Sequence, residues 1–444
     1  MSSASPPASG SATATAEPWA GNYFVATYPP FSSWDDSGVD RLRHRLGESR
    51  AASAPLGFYL HVPFCIKRCR YCYYLSHDDR PTLVERYLES LERELDLWTA
   101  APALSECEPS FAYVGGGTPS LLSARRIRRL LGGFRDRVSC AALREMTFEC
   151  APRSVTTAKL EALHEMGVTR ISLGVQQLDD QVLRMSGRVH RVRDVMRAWD
   201  AIAWTGFEIV NVDLMVGLPG ETDASFASSL DRTIEMGPDS VTIYQLEIPH
   251  NTPLYRAVHD GSEPSGLAGW EVKRARLASG LARLEASGYT VRSAYAAVRD
   301  PERHRFLYQD AQYGGANLIG LGASAFSYLD GIHVQNHCRL EDYLDAVERS
   351  DLPLHRGRAL TDEERLVREF VLQLKLGGVE AEPLRRKYRI DPIRKLAELL
   401  SRFADDGWLR FDADVVTLTR EGLLRVDRLL PAFYLPEHRG ARYS

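Results

Sequence analysis

The sequence predicts an α/β protein, a partial (β/α)6 TIM-like barrel with a smaller C-terminal winged-helix-like α+β domain. Three observations lead there. From Gly57 to about residue 250, short β-rich runs alternate with longer stretches at helical spacing, the pattern of parallel strands joined by crossover helices. Beyond Thr361 the pattern becomes helices followed by a hairpin, ending near Tyr434. The motifs able to carry chemistry fall just after predicted strands, at the end where such barrels gather functional side chains.

Taken in order, residues 1–18 are Ser, Ala, Thr and Pro in repetition and are expected to be disordered. Residues 19–56 hold an aromatic group, Tyr23, Phe24, Phe31 and Trp34, expected to pack on the barrel. The barrel itself is assigned to 57–250, with strands over 58–61, 111–114, 146–150, 169–174, 208–214 and 240–246. Helices are predicted over 82–97, 124–134, 156–165, 193–204 and 225–235. Residues 251–358 read as a barrel extension, with a helix over 270–286 and strand-like runs near 288–295 and 318–326. The C-terminal domain, 359–435, opens on Thr361-Asp-Glu-Glu364, a capping-box pattern. Its cations Arg385, Arg386, Lys387, Arg389, Arg394 and Lys395 are interspersed with acids, so a solvated face is expected rather than a DNA-binding one, and the domain is expected to cap the barrel.

The 444 residues are 44 % hydrophobic and 26 % charged with a net charge of -4. That is ordinary globular composition and exerts no general pull toward nucleic acid or an anionic membrane. No run approaches the ~20 apolar residues of a membrane span. The N-terminus has neither a basic start nor an apolar core of a signal peptide, so a cytoplasmic address, where thiols stay reduced, is expected.

Cys65-Ile-Lys-Arg-Cys69-Arg-Tyr-Cys72 follows the first predicted strand. Its three thiolates can converge on one soft metal centre. Structural zinc and a fully ligated cubane both want four protein ligands, yet Tyr73 and Tyr74 come next, and Cys107, Cys140, Cys150 and Cys338 stand alone. Seven cysteines without a signal peptide also disfavour a disulfide framework. A three-legged set leaves one iron of a cluster open to a chelating ligand. After the second strand comes Gly115-Gly-Gly-Thr118-Pro119, where missing side chains let a ligand touch backbone. Glu149 ends the third strand, Gln176 the fourth, and Arg188 follows a helix later with bidentate capacity for a carboxylate. Asp213 lies inside an apolar strand, where an unpaired carboxylate costs several kcal/mol, so it needs a partner or a role. Gly320 and Gly322 in the apolar run Leu318–Phe326 suggest close approach of backbone or ligand.

Cys-x3-Cys-x2-Cys with an aromatic before the last cysteine is the signature of radical SAM (S-adenosylmethionine) enzymes. Together with Tyr59-Leu-His-Val-Pro-Phe-Cys65, Gly-Gly-Gly-Thr-Pro, Gly174-Val-Gln176, Asp213-Leu-Met-Val-Gly-Leu-Pro219 and Leu318-Ile-Gly-Leu-Gly-Ala-Ser-Ala325, it resembles the oxygen-independent coproporphyrinogen III oxidase-like (HemN-like) family, from about Tyr23 to Tyr434. The resemblance implies a [4Fe-4S] cluster on Cys65, Cys69 and Cys72. It implies SAM seated by Tyr59, Tyr71, Gly115, Gly116, Gly117, Thr118, Glu149, Gln176, Arg188 and Asp213, and a 5'-deoxyadenosyl radical released by one electron from an external flavodoxin or ferredoxin type donor. True decarboxylases of the family carry a fourth cysteine where this chain has Tyr74, and the haem chaperones carry Asp-Phe after the third cysteine where this chain has Tyr-Tyr. On that ground the favoured expectation is transfer of a methyl or methylene carbon from a second SAM, near Gly320 and Ala323, to a small biosynthetic substrate, as in the class C methyltransferases and cyclopropanases. Porphyrinogen decarboxylation and haem carriage, with His250, His333 and His337 as candidate iron ligands, are the alternatives.

Overall fold

The computed structural model describes residues 27–49, 55–74, 76–77, 80–105, 107–262 and 267–441. The tail expected to be disordered, and Tyr23 and Phe24 of the aromatic group, lie outside these residues.

Six parallel strands, β1 (Leu56–Val62), β2 (Pro109–Gly116), β3 (Glu145–Cys150), β4 (Arg170–Gln176), β5 (Ile209–Val216) and β6 (Ser240–Gln245), pair in sequence order. The helices Pro81–Thr99, Ala124–Arg137, Thr157–Glu165, Val192–Thr205 and Asp223–Met236 cross over between them. The strands are apolar along most of their length because helices cover one face and the barrel interior the other. In β1, Phe58, Leu60 and Val62 enter the main core with Leu88, Leu91 and Phe134 of the crossover helices. The alternate residues Tyr59 and His61 turn to the interior by the two-residue period of a strand.

Beyond the six units, the sequence anticipated little of the strand architecture. β7 (Thr290–Val291) and β8 (Ala296–Val298) add antiparallel beside β6. β9 (Asn317–Leu321) pairs parallel with the other edge of β1, Leu56 opposite Asn317. β10 (Phe326–Leu329), β11 (Ile332–Asn336) and β12 (Leu354–Ala359) then extend it antiparallel. The result is one open sheet of twelve strands, β12-β11-β10-β9-β1-β2-β3-β4-β5-β6-β8-β7.

At the N-terminal end of the strands the interior is closed by Arg170, which has no exposed surface. Its guanidinium pairs with Glu145 at 3.0 Å, donates to the carbonyls of His304 and Arg305, and lies 4.2 Å over the Phe306 ring. The opposite end is therefore the mouth.

The capping box forms as predicted: Thr361 Oγ1 accepts from Glu364 N, and Glu364 accepts from Thr361 N, at the start of the helix Asp362–Leu374. β13 (Gly378–Glu380), β14 (Leu409–Phe411) and β15 (Val415–Leu418) form a three-stranded sheet. They share a second core with Phe370, Leu400, Phe403 and Phe433. That core includes Tyr28, Tyr295 and Ala296, and Arg274 pairs with Asp427 at 2.5 Å, so the C-terminal elements pack directly on the barrel extension. Of the six cations noted there, Arg385, Arg386, Lys387 and Lys395 are engaged with Asp391, Asp414, Glu382, Glu369 and Glu363. Among the described residues no helix is long and apolar enough to cross a membrane.

Candidate active site

The cysteine loop leaves β1 at the mouth and is fastened from both sides. Cys65 N donates to His77 O, Arg70 N to Ser186 O, and Leu254 N to Arg70 O. Arg68 Nε donates to Cys72 O at 2.9 Å and Arg68 Nη2 to Asn251 O at 3.1 Å. All three cysteines are free and half-buried. Burial pushes Cys65 up and Cys72 up to about 11, so each ionises only against a positive centre. Among the described residues no three His, Cys, Asp or Glu side chains gather closely enough to share a single ion. Three spaced thiols suit a polynuclear centre in which each binds its own iron.

The predicted SAM residues surround this loop. Thr118 Oγ1 lies 3.4 Å from Cys65 Sγ. Arg188 is no surface charge: Nη1 donates to Cys69 Sγ at 3.4 Å and Nη2 to Gly174 O at 2.9 Å. Gln176 occupies the left-handed region at φ 67°, where the β4–β5 register shifts, and its Nε2 would lie 3.0 Å from a Cβ on Gly174. A non-glycine residue held there is a cost borne at functional positions. Tyr71 packs with Met215, Leu218 and Leu246, beside Arg188.

The glycine run does more for the protein's own backbone than the sequence suggested. Gly117 N donates to Val62 O at 2.9 Å, and a Cβ there would meet Phe64 O at 2.7 Å. Gly116, at φ 116°, lies against the His61 ring, and its N donates to Glu149 Oε2 at 3.1 Å. Glu149 Oε1 accepts from Tyr113 Oη at 2.7 Å. Burial, with the Asp213 charge second among the raising causes, lifts Glu149 to about 7 against those two donors. Asp213 has the partners its burial demanded: Ser172 Oγ and Asn211 Nδ2, each at 2.8 Å. Burial still raises it to about 6.

Sequence reasoning did not single out His61, Tyr113, Ser172, Asn211 or Tyr244. Tyr59 Oη and His61 Nδ1 are 3.0 Å apart, and burial lowers His61 to about 4, so it is neutral. The missed signal was the strand period itself: Tyr59 and His61, Asn211 and Asp213, and Thr242 and Tyr244 each lie two apart within one strand. The histidines considered for haem do not gather. His333 is 2 % exposed and stacked on Trp34 with Tyr328 tilted against it, while His337 pairs with His355 at a ring distance of 5.3 Å.

A parallel barrel with a three-cysteine loop at its mouth, facing buried carboxylates and an arginine, defines a radical SAM enzyme. The Radical SAM superfamily matches residues 59–233. The chain is 32 % identical to a heme chaperone HemW of Mycobacterium tuberculosis, over 85 % of this chain and 94 % of that one. It is 29 % identical to an oxygen-independent coproporphyrinogen III oxidase of Pseudomonas aeruginosa over 90 % of both. The solved coproporphyrinogen III oxidase HemN of Escherichia coli superposes with a TM-score of 0.80 at 25 % identity, covering 92 % of this chain and 96 % of that one. The chain belongs to the HemN-like family of radical SAM proteins, with a [4Fe-4S] cluster and SAM as its cofactors.

These likenesses overturn the carbon-transfer expectation, since the relatives are oxidases and haem chaperones along nearly their whole length. Its physical premise was also too strong. Tyr74 replaces a residue outside the three-thiol ligand set, so it removes no iron ligand. At the expected second-SAM position the backbone donors are already used by the fold: Gly320 N donates to Ser327 Oγ at 2.9 Å, and Ala323 N to Tyr87 Oη at 3.1 Å.

Proposed function

We propose that this enzyme oxidatively decarboxylates a propionate side chain of a porphyrinogen. The observation that carries this reading is the end-to-end likeness to HemN of Escherichia coli, which spans the barrel, its antiparallel extension and the C-terminal unit. When bound, the cluster and SAM supply a 5'-deoxyadenosyl radical, with the electron coming from an external flavodoxin or ferredoxin type donor. The chain's own residues do the rest. Cys65, Cys69 and Cys72 hold the cluster. Glu149, Gln176, Arg188 and Asp213 form the polar wall that seats SAM, and the glycine run keeps that wall close to the cysteine loop. Neutral His61, hydrogen-bonded to Tyr59, and the phenols of Tyr113 and Tyr244 line the space left for substrate. That chemistry would take a hydrogen atom from the propionate, and loss of carbon dioxide with one electron to an external acceptor would leave a vinyl group.

The test is anaerobic. Reconstituted and reduced protein is given SAM and coproporphyrinogen III, and 5'-deoxyadenosine, carbon dioxide and the vinyl product are quantified. All three are expected to rise together. Deoxyadenosine without carbon dioxide would refute decarboxylation. Haem carriage is the second reading, favoured by the identity to HemW; stoichiometric haem binding without turnover would establish it instead.

A further inference from the structure

Tyr73 and Tyr74 follow the last cysteine directly, and their rings stack at 4.4 Å with a 29° interplanar angle. Tyr73 Oη donates to Tyr74 Oη at 3.1 Å. The pair is held from behind, because Asn251 Nδ2 donates to Tyr73 O at 3.1 Å and Arg68 clamps Cys72 O. Tyr74 is nevertheless 42 % exposed, although its neighbours are interior groups. Its ring lies 6.2 Å from that of His61. An accessible ring among buried groups faces the open mouth rather than bulk surface. Covering that apolar face gains free energy, and an aromatic ring laid on it adds a stacking contribution.

We propose that Tyr74, backed by Tyr73, is a substrate-binding platform on which an aromatic ring of the substrate stacks, fixing which of its side chains faces the cysteine loop. Taking a pyrrole as that ring rests on the function proposed above. Offset stacking needs a ring, not a hydroxyl, so Tyr74→Phe keeps the platform and Tyr74→Leu removes it.

Two readouts separate this platform from the reaction. In turnover with coproporphyrinogen III, Tyr74→Leu is expected to raise KM about tenfold, and Tyr74→Phe to stay within about twofold of wild type. In binding, the Soret shift of coproporphyrin III, titrated anaerobically into the reconstituted chain, is expected to give a Kd about tenfold weaker for Tyr74→Leu alone. The low-temperature spectrum of the reduced cluster is recorded for each variant. Equal porphyrin Kd for wild type and Tyr74→Leu would overturn the platform, as would a Tyr74→Phe variant as weak as Tyr74→Leu. A cluster spectrum lost in Tyr74→Leu would overturn it too, making the ring a support of the loop. Failure of wild type to turn over porphyrinogen, with the Kd contrast intact, would remove the proposed reaction and leave the platform.

Discussion

Glu149→Gln tests how the mouth seats SAM. Both carboxylate oxygens already accept a protein donor, Tyr113 Oη at 2.7 Å and Gly116 N at 3.1 Å. Burial lifts the group to about 7, so it is half ionised at that pH. If the carboxylate receives the cationic methionine end of SAM, affinity follows the ionised fraction. That fraction is about 9 % at pH 6 and about 76 % at pH 7.5, a rise of about eightfold. The amide side chain of the variant would keep a carbonyl acceptor for one donor and turn its NH2 toward the other, and it would carry no charge. Losing a charge-assisted contact costs ~1.5–3 kcal/mol, hence ~10- to 150-fold in SAM affinity at pH 7.5. Equilibrium dialysis of SAM against reconstituted protein across pH 6–7.5 measures both effects. A wild-type affinity that is flat with pH, or a Glu149→Gln variant that keeps the eightfold rise, would refute the reasoning.

Three further outcomes are expected. Cys69→Ala loses the cluster's charge-transfer absorbance and deoxyadenosine formation together; unaltered absorbance would take this thiol out of the ligand set. Arg170→Met leaves Glu145 buried without its cation and costs ~3–5 kcal/mol in denaturant unfolding, and adding Glu145→Gln recovers part of the loss. Glu94 accepts from Asn336 Nδ2, Gly322 N and Tyr343 Oη at 2.7–2.8 Å, and burial raises it to about 7. Its folded form holds the proton more tightly than the unfolded chain, so its contribution to stability falls as pH rises from about 4.5 to about 7. Glu94→Ala therefore flattens part of that slope, and it costs ~3 kcal/mol or more because three buried donors lose their acceptor.

The barrel was legible because its strands are short apolar runs bounded by turn residues and its helices keep one apolar stripe, so local pattern and tertiary burial agree. Glu149 at the end of β3 and Asp213 inside β5 fall where the same run pattern placed them. Glu94 was legible and overlooked: it falls in the stripe of Val84, Tyr87, Leu91, Leu95 and Trp98, where a glutamate must be buried. What could not be read depends on pairs distant in sequence. Nothing in 326–359 says that its strands extend the edge of β9, and nothing in the helix Trp270–Ala286 marks Lys273 as the lysine that donates to Leu246 O at 2.8 Å above Trp270. The stacking of Tyr73 on Tyr74 likewise depends on Asn251 and Arg68 fixing the loop.

The pairing of β1 with β9 has a consequence for how the protein is made. Leu56 and Asn317 are partners 261 residues apart. At ~5–20 residues per second, β1 waits roughly 13 to 52 s on the ribosome before its second neighbour emerges. During that interval one edge of the strand that leads into the cysteine loop stays open. A nascent chain arrested within that interval would present β1 with one unsealed edge, the place where strands mispair.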